Sequence, residues 1–239
     1  MPQSQQLSHL RDRLSAVLPY PEGVVPVPTP IPGTAFFPGG DGLFKDKRLP
    51  DFPVGGIMIL GHDFHSETGY QRSFDNGSER LTEPTWRNLL ALLEDAGIEP
   101  ETCFFTNFYM GLRKGNATTG VFPGAKDKAF VQRCRDFFLF QLRFQKPRAV
   151  LVLGKHVPPL LAPLAPQLTA WGKAKSLLAI DAADAAMIRN VQFAADIRPV
   201  NMVALTHPSL RHANVKRRRY GKLKAHDAEL GMIAQMRGR

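Results

Sequence analysis

Cysteine is nearly absent: Cys103 and Cys134 are the only two in 239 residues. Two thiols cannot build a disulfide framework. An iron–sulfur cluster normally takes four cysteine ligands, so none is expected. Long apolar runs are also missing. No segment approaches the roughly 20 apolar residues of a membrane helix, and the N-terminus has no apolar signal-peptide core. The expectation is a soluble, cytoplasmic chain with no membrane partner. Acid is the third scarcity, with 21 Asp+Glu against 31 Lys+Arg and a formal net charge of +10. Such a balance favours a polyanionic partner, nucleic acid first. There is no HExxH pairing of a zinc hydrolase, and the Pro38-Gly39-Gly40-Asp41-Gly42 stretch lacks the strand–loop–helix spacing of a phosphate loop. It reads as a plain turn.

What is present is enough apolar residue, 44% of the chain, to bury one sizeable core. Residues 5–18 pattern as a short helix with Leu7, Leu10, Leu14 and Leu18 on one face. Pro19, Pro21, Pro26, Pro28, Pro30 and Pro32 then predict an extended segment. Four short apolar runs follow, at 54–60, 102–108, 149–153 and 201–206. Continuous runs without alternation suit strands covered on both faces. Helical spacing separates them, with Trp86, Leu89, Leu90 and Leu93 between Thr82 and Gly97, then Phe130 to Leu142 before Pro147. Leu223, Leu230 and Ile233 mark a last helix. The fold expected is α/β: a three-layer α/β/α sandwich around a central, mostly parallel four-stranded sheet. Residues 1–53 would be an N-terminal helix and Pro/Gly-rich segment packing on a core domain at 54–239.

Two strand ends carry the chemistry-bearing residues. Gly61-His62-Asp63-Phe64-His65 follows the first run, and Thr206-His207-Pro208-Ser209-Leu210-Arg211 follows the fourth. Ligands of open parallel sheets bind outside the carboxyl ends of the strands. An Asp there is commonly a turn or cap residue; it is also a carboxylate able to hold water or stabilise positive charge. His62, Asp63, His65 and His207 are metal-ligand types, though without ligand spacing. His207, held extended by Pro208, can donate to a developing anion. Asn107, near the end of the second run, either pins a loop or reads a heterocycle edge with its paired donor and acceptor. From Arg211 to Lys224 the chain holds Arg211, Lys216, Arg217, Arg218, Arg219, Lys222 and Lys224 with no acid. That is either a solvated face or a surface that follows phosphates.

Together these segments resemble the uracil-DNA glycosylase superfamily, over roughly residues 54–236. Gly61-His62-Asp63-Phe64-His65 is similar to the motif that carries the water-activating Asp. Thr106-Asn107 resembles the base-reading strand end, Leu153-Gly154-Lys155 the third strand end, and His207-Pro208-Ser209 the second active-site motif. The resemblance implies a monofunctional DNA glycosylase, hydrolysing the N-glycosidic bond of a flipped-out uracil or modified pyrimidine. It needs no cofactor and acts as a monomer on DNA. It makes Asp63 and His207 catalytic. Asn107, Phe74, Phe64, His62 and His65 would bind the base. Ser209, Leu210, Arg211, Lys216, Arg217, Arg218 and Arg219 would bind DNA, with Leu210 or Arg211 filling the vacated stack. Phe64-His65 departs from the family's Pro-Tyr-His type, which in that family helps exclude bulky 5-substituents. A glycosylase for bulky modified bases of phage DNA, serving antiviral defence, is therefore a second reading, and a non-catalytic DNA-binding module a third.

Overall fold

Five strands form the central sheet of the computed structural model, which describes residues 3–46 and 50–238. They are β1 (Ile57–Gly61), β2 (Cys103–Asn107), β3 (Ala149–Leu153), β4 (Met187–Val191) and β5 (Val200–Leu205). The spatial order is β2-β1-β3-β5-β4, parallel throughout except for the antiparallel edge pair β4–β5. Every residue of β1, β2 and β3 is buried, as expected of strands sandwiched between helices. The mixed α/β class and the mostly parallel sheet are those read from the sequence; the count of four strands is corrected to five. The missed strand, Met-Ile-Arg-Asn-Val, is an edge strand with two exposed residues and a register shift between Ile188 and Val191. One covered face and a bulge erase the apolar run that marks its neighbours.

Boundaries moved for local reasons. β1 starts at Ile57 rather than 54, because Gly55 turns the chain at φ +76°. The N-terminal helix α1 (Gln3–Asp12) passes into a 3-10 turn over Arg13–Val17, so Leu10 is buried while Leu18 is exposed. Glu83, not Thr82, is the cap residue of α3 (Pro84–Asp95), with Pro84 at the first helical position where its missing N–H costs nothing. Leu223 lies in a two-residue strand ahead of the last helix, Ala225–Met236. Cys103 and Cys134 are both buried free thiols.

The order of the strands fixes where a site can form. From β1 the chain goes to β2 on one side, then crosses to β3 on the other. The switch point of the sheet therefore lies at β1, whose carboxyl end runs into His62 and Asp63. The registers place Gly61 beside Asn107 and Leu153 beside Leu205. Residues 24–44 pack over the same end: Phe37 donates its N–H to Phe105 O and accepts from Asn107 N, and Val24–Val25 pairs with Leu112–Arg113. Among the described residues no helix is long and apolar enough to cross a membrane.

Candidate active site

A cleft of about 730 Å³ opens over the carboxyl ends of β1, β2, β3 and β5. It is lined by His62, Asp63, Asn107, Gly154 and His207, among others, so residues far apart in sequence share one space. Backbone bonds stitch the loop after β1 to the loop after β2: Tyr109 N–H donates to His62 O, and Arg113 N–H to His65 O.

The Asp63 side chain receives three donors. Arg113 Nε reaches Oδ1 at 3.1 Å, Arg113 Nη2 reaches Oδ2 at 3.0 Å, and His62 Nδ1 reaches Oδ2 at 2.6 Å. A carboxylate only accepts, so His62 carries its proton on Nδ1. Burial pushes the Asp63 pKa up, but the hydrogen bonds and charges of His62 and Arg113 outweigh it and bring it down to about 2. Asp63 is therefore ionised at any physiological pH. Arg113 is 4% exposed, and its remaining donors hold the carbonyls of Thr119, Gly120 and Val121. One guanidinium thus ties Asp63 to the loop over the cleft.

His207 is oriented by the turn that follows it. Its Nδ1 accepts the Ser209 N–H at 3.3 Å and lies 2.8 Å from Ser209 Oγ. A backbone N–H can only donate, so the neutral ring keeps its proton on Nε2. Burial lowers the His207 pKa below its usual 6.5, helped by His62 and His156 and opposed by Asp63. A neutral imidazole with a free Nε2–H is a donor suited to a developing oxyanion. Gly154, at φ +83°, makes room for it: a Cβ there would sit 3.1 Å from His207 Cβ.

Asn107 is 3% exposed and donates from Nδ2 to Phe37 O at 3.2 Å. It both pins the N-terminal segment and lines the cleft. A Cβ on Gly61 would lie 2.4 Å from Asn107 Oδ1, so only glycine fits beside this amide. Phe64 and His65 also line the cleft. The His65 ring is folded back onto α2 (Glu67–Asp75), where a Cβ on Gly69 would strike it, and its Nδ1 accepts the Ser66 N–H at 2.9 Å.

Three expectations are corrected. Phe74 does not line the cleft; its ring lies against Tyr70. The reason is helical spacing: Gly69, Arg72, Ser73 and Asn76 form the stripe of α2 that faces the cleft, and Tyr70 with Phe74 forms the next one. Arg211 is 8% exposed and bonds Glu229 and His226. Arg218 is 2% exposed and grips Asp181 at 3.0 and 2.8 Å, Glu229 at 2.8 Å and Ala204 O at 2.8 Å. These two guanidiniums are paired with acids from elsewhere in the chain and are not free surface cations, although Arg218 also lines the cleft. Lys216, Arg217 and Arg219 remain exposed, and Ser209 and Leu210 stand on the cleft rim with Leu210 59% exposed.

Two residues were not foreseen. Arg113 is a single arginine whose partner lies 50 positions earlier, and no local pattern marks it. Glu79 lines the cleft, accepts the Phe36 N–H at 2.8 Å, and has its pKa pushed up to about 7 by burial. As for a metal, no group of three or more His, Cys, Asp or Glu among the described residues is arranged to hold one.

A family model described as the uracil DNA glycosylase superfamily matches residues 56–229. The chain belongs to this superfamily. The match takes in all five strands and both motif loops, and leaves the Pro-rich segment outside. Membership supports a function of the DNA glycosylase type, acting on DNA. A search of curated proteins returned no match.

Proposed function

We propose that this protein is a monofunctional DNA glycosylase that hydrolyses the N-glycosidic bond of a flipped-out uracil or modified pyrimidine, leaving an abasic site. The observation that carries this reading is the convergence, in one cleft, of an Asp63 carboxylate held ionised, the Asn107 amide and the Nε2–H of a neutral His207. The exposed Lys216, Arg217 and Arg219 track the phosphate backbone. The target nucleotide leaves the stack, at a cost of a few kcal/mol, and Leu210 occupies the gap. Asn107 reads the edge of the base with the amide groups that Phe37 leaves free. As the glycosidic bond lengthens, positive charge gathers on the sugar and negative charge on the base. Asp63 stabilises the first and aligns the attacking water; His207 donates to the second. With three donors on it, Asp63 is a weak proton acceptor, so its contribution is electrostatic and positional.

The test is base release from labelled DNA strands, read as alkali-labile abasic sites, with Asp63→Asn as control. Release from a uracil- or modified-pyrimidine-bearing strand that disappears in the variant is the expected result. Turnover unchanged in the variant would falsify the mechanism. One observation favours a second reading, a non-catalytic DNA-binding module: the Asp63 carboxylate is already engaged by Arg113 and His62. DNA binding with no abasic product on any strand would select it.

A further inference from the structure

The cleft extends well beyond the space a pyrimidine needs. Beyond Phe64 and His65 in its outer part it is lined from α2 and the start of α3 by Arg72, Ser73, Asn76, Glu79, Arg80, Glu83 and Trp86. The His65 ring lies in the space that Gly69 leaves, and the Phe64 ring lies against Gly39, where a Cβ would come within 2.2 Å of it.

This outer chamber holds uncommitted polar groups. Trp86 is 2% exposed and lines the cleft, and among the described residues its indole Nε1 has no partner at good hydrogen-bond geometry. It lies near enough to Glu79 to favour the charged carboxylate without reaching hydrogen-bond geometry. A buried indole N–H usually finds an acceptor. Glu79 spends Oε2 on the Phe36 N–H, and Oε1 has no protein hydrogen bond among the described residues. Ser73 Oγ is likewise without one, and Glu83 is close enough to His65 to oppose the lowering of its pKa by burial. Arg72 and Arg80 line the same part and offset the two carboxyl groups, so the lining selects for neither sign of charge, and its polarity disfavours a bare alkyl group. The Trp86 ring itself is packed against Phe36, Phe44 and Phe105, but carboxylate, amide, hydroxyl and indole N–H are groups that bind hydroxyls.

We propose that the chamber binds a hydroxylated, sugar-like substituent carried by the target base, with Glu79 and Trp86 as its principal contacts. This rests on the glycosylase reading for the placement of the base. It makes the protein selective for bases that a closed pyrimidine pocket would reject.

The test separates binding from chemistry. Strands carrying 2′-fluoroarabino-cytidine, which resists base release, are prepared with no substituent, with 5-hydroxymethyl and with glucosylated 5-hydroxymethyl groups. The expected result is about tenfold tighter binding of the glucosylated strand than of the unsubstituted one, roughly the worth of one hydrogen bond to a charged group. That ratio should collapse toward one in Glu79→Ala. It should also collapse in Ser73→Phe, which fills the chamber from the surface of α2 and leaves Glu79 in place. Equal binding of the three strands by the wild-type protein overturns the proposal, as does a preference that survives both variants. Release from ordinary 2′-deoxy strands is followed in parallel. Release of uracil without any preference for the glucosylated strand keeps the glycosylase and removes the chamber. Sugar-selective binding without release from any strand keeps the chamber and removes the glycosylase.

Discussion

Arginine meets carboxylate in two clusters of this molecule, with different consequences. At the cleft, Arg113 clamps Asp63 through two hydrogen bonds, and the Asp63 side chain keeps 13% of its surface exposed. Behind the end of β5, Arg218 and Arg211 meet Glu229 and Asp181, and neither Glu229 nor Asp181 has more than 1% of its side chain exposed. Glu229 also accepts the Thr206 N–H at 2.6 Å, one residue before His207. The first cluster leaves a charge facing the cleft; the second consumes its charges to hold the strand end from which His207 projects. On the proposed glycosylase mechanism, the same pairing serves chemistry where water reaches it and position where water does not.

The largest effect should come from breaking the buried cluster. Glu229→Ala leaves Arg211 without its carboxylate and Arg218 with Asp181 alone, and an uncompensated buried charge costs about 3–5 kcal/mol. Against a usual stability of about 5–15 kcal/mol, that is a large share of what holds a domain folded. Urea unfolding monitored by tryptophan fluorescence measures it. A loss under about 1 kcal/mol would mean that the second cluster is no more structural than the first.

Asp63→Asn attacks the cleft cluster and should do the reverse. Base release is expected to fall about 10²–10³-fold, the range for one electrostatic contact to the transition state. Stability should fall less, by about 2 kcal/mol at neutral pH, from a carboxyl whose pKa drops from 3.8 to about 2 on folding. A depressed folded pKa gives stability that is present above the unfolded value and disappears as the pH falls toward the folded one. The wild-type advantage over Asp63→Asn should therefore vanish between about pH 4 and pH 2. In turnover the acid limb belongs to a different residue. His207 must be neutral, and its pKa is lowered from 6.5, so release should decline only at pH values below 6.5 while Asp63 stays ionised.

How much of this was legible in the sequence divides along the same line. β1, β2, β3 and β5 are continuous apolar runs, and the loops that follow β1 and β5 begin at Asp63 and His207 within a residue or two of each strand end. Local pattern suffices for both. The edge strand β4 has one buried face and a bulge, so its residues carry no such signal. The basic stretch misled for a physical reason. Seven cations without an acid in the sequence look solvated, but Arg211 and Arg218 find Asp181 and Glu229 across the fold. Phe74 failed by a helical phase, since one residue decides which stripe faces the cleft. Arg113 and Glu79 are single polar residues whose meaning lies wholly in tertiary neighbours.

Arg113→Lys sharpens the cleft half of the comparison at a smaller scale. Lysine keeps the charge but cannot present two parallel donors to Asp63 while holding the carbonyls of Thr119, Gly120 and Val121. Base release should drop by about tenfold, a loss of roughly 1.4 kcal/mol in the transition state. Full activity in this variant would mean that Arg113 supplies charge alone and that the fork geometry is incidental.

The smallest effect is expected next door to the largest. Arg217 and Arg218 are adjacent in sequence, yet Arg217 is exposed on the cleft rim and Arg218 is 2% exposed in the buried cluster. If exposed cations follow the DNA backbone, Arg217→Ala should weaken binding evenly across sequences. It should also reduce the slope of log K against log salt by about one, because one fewer phosphate releases its counterion. Its unfolding midpoint should not move, since an exposed arginine with no ion pair among the described residues contributes little to folding. Arg218→Ala should do the opposite, with a destabilised fold and no specific change in salt slope among the molecules that remain folded. Titration of both variants with one labelled strand at several salt concentrations decides the matter. An equal change in slope for the two would mean that burial does not separate the structural arginines from the DNA-facing ones.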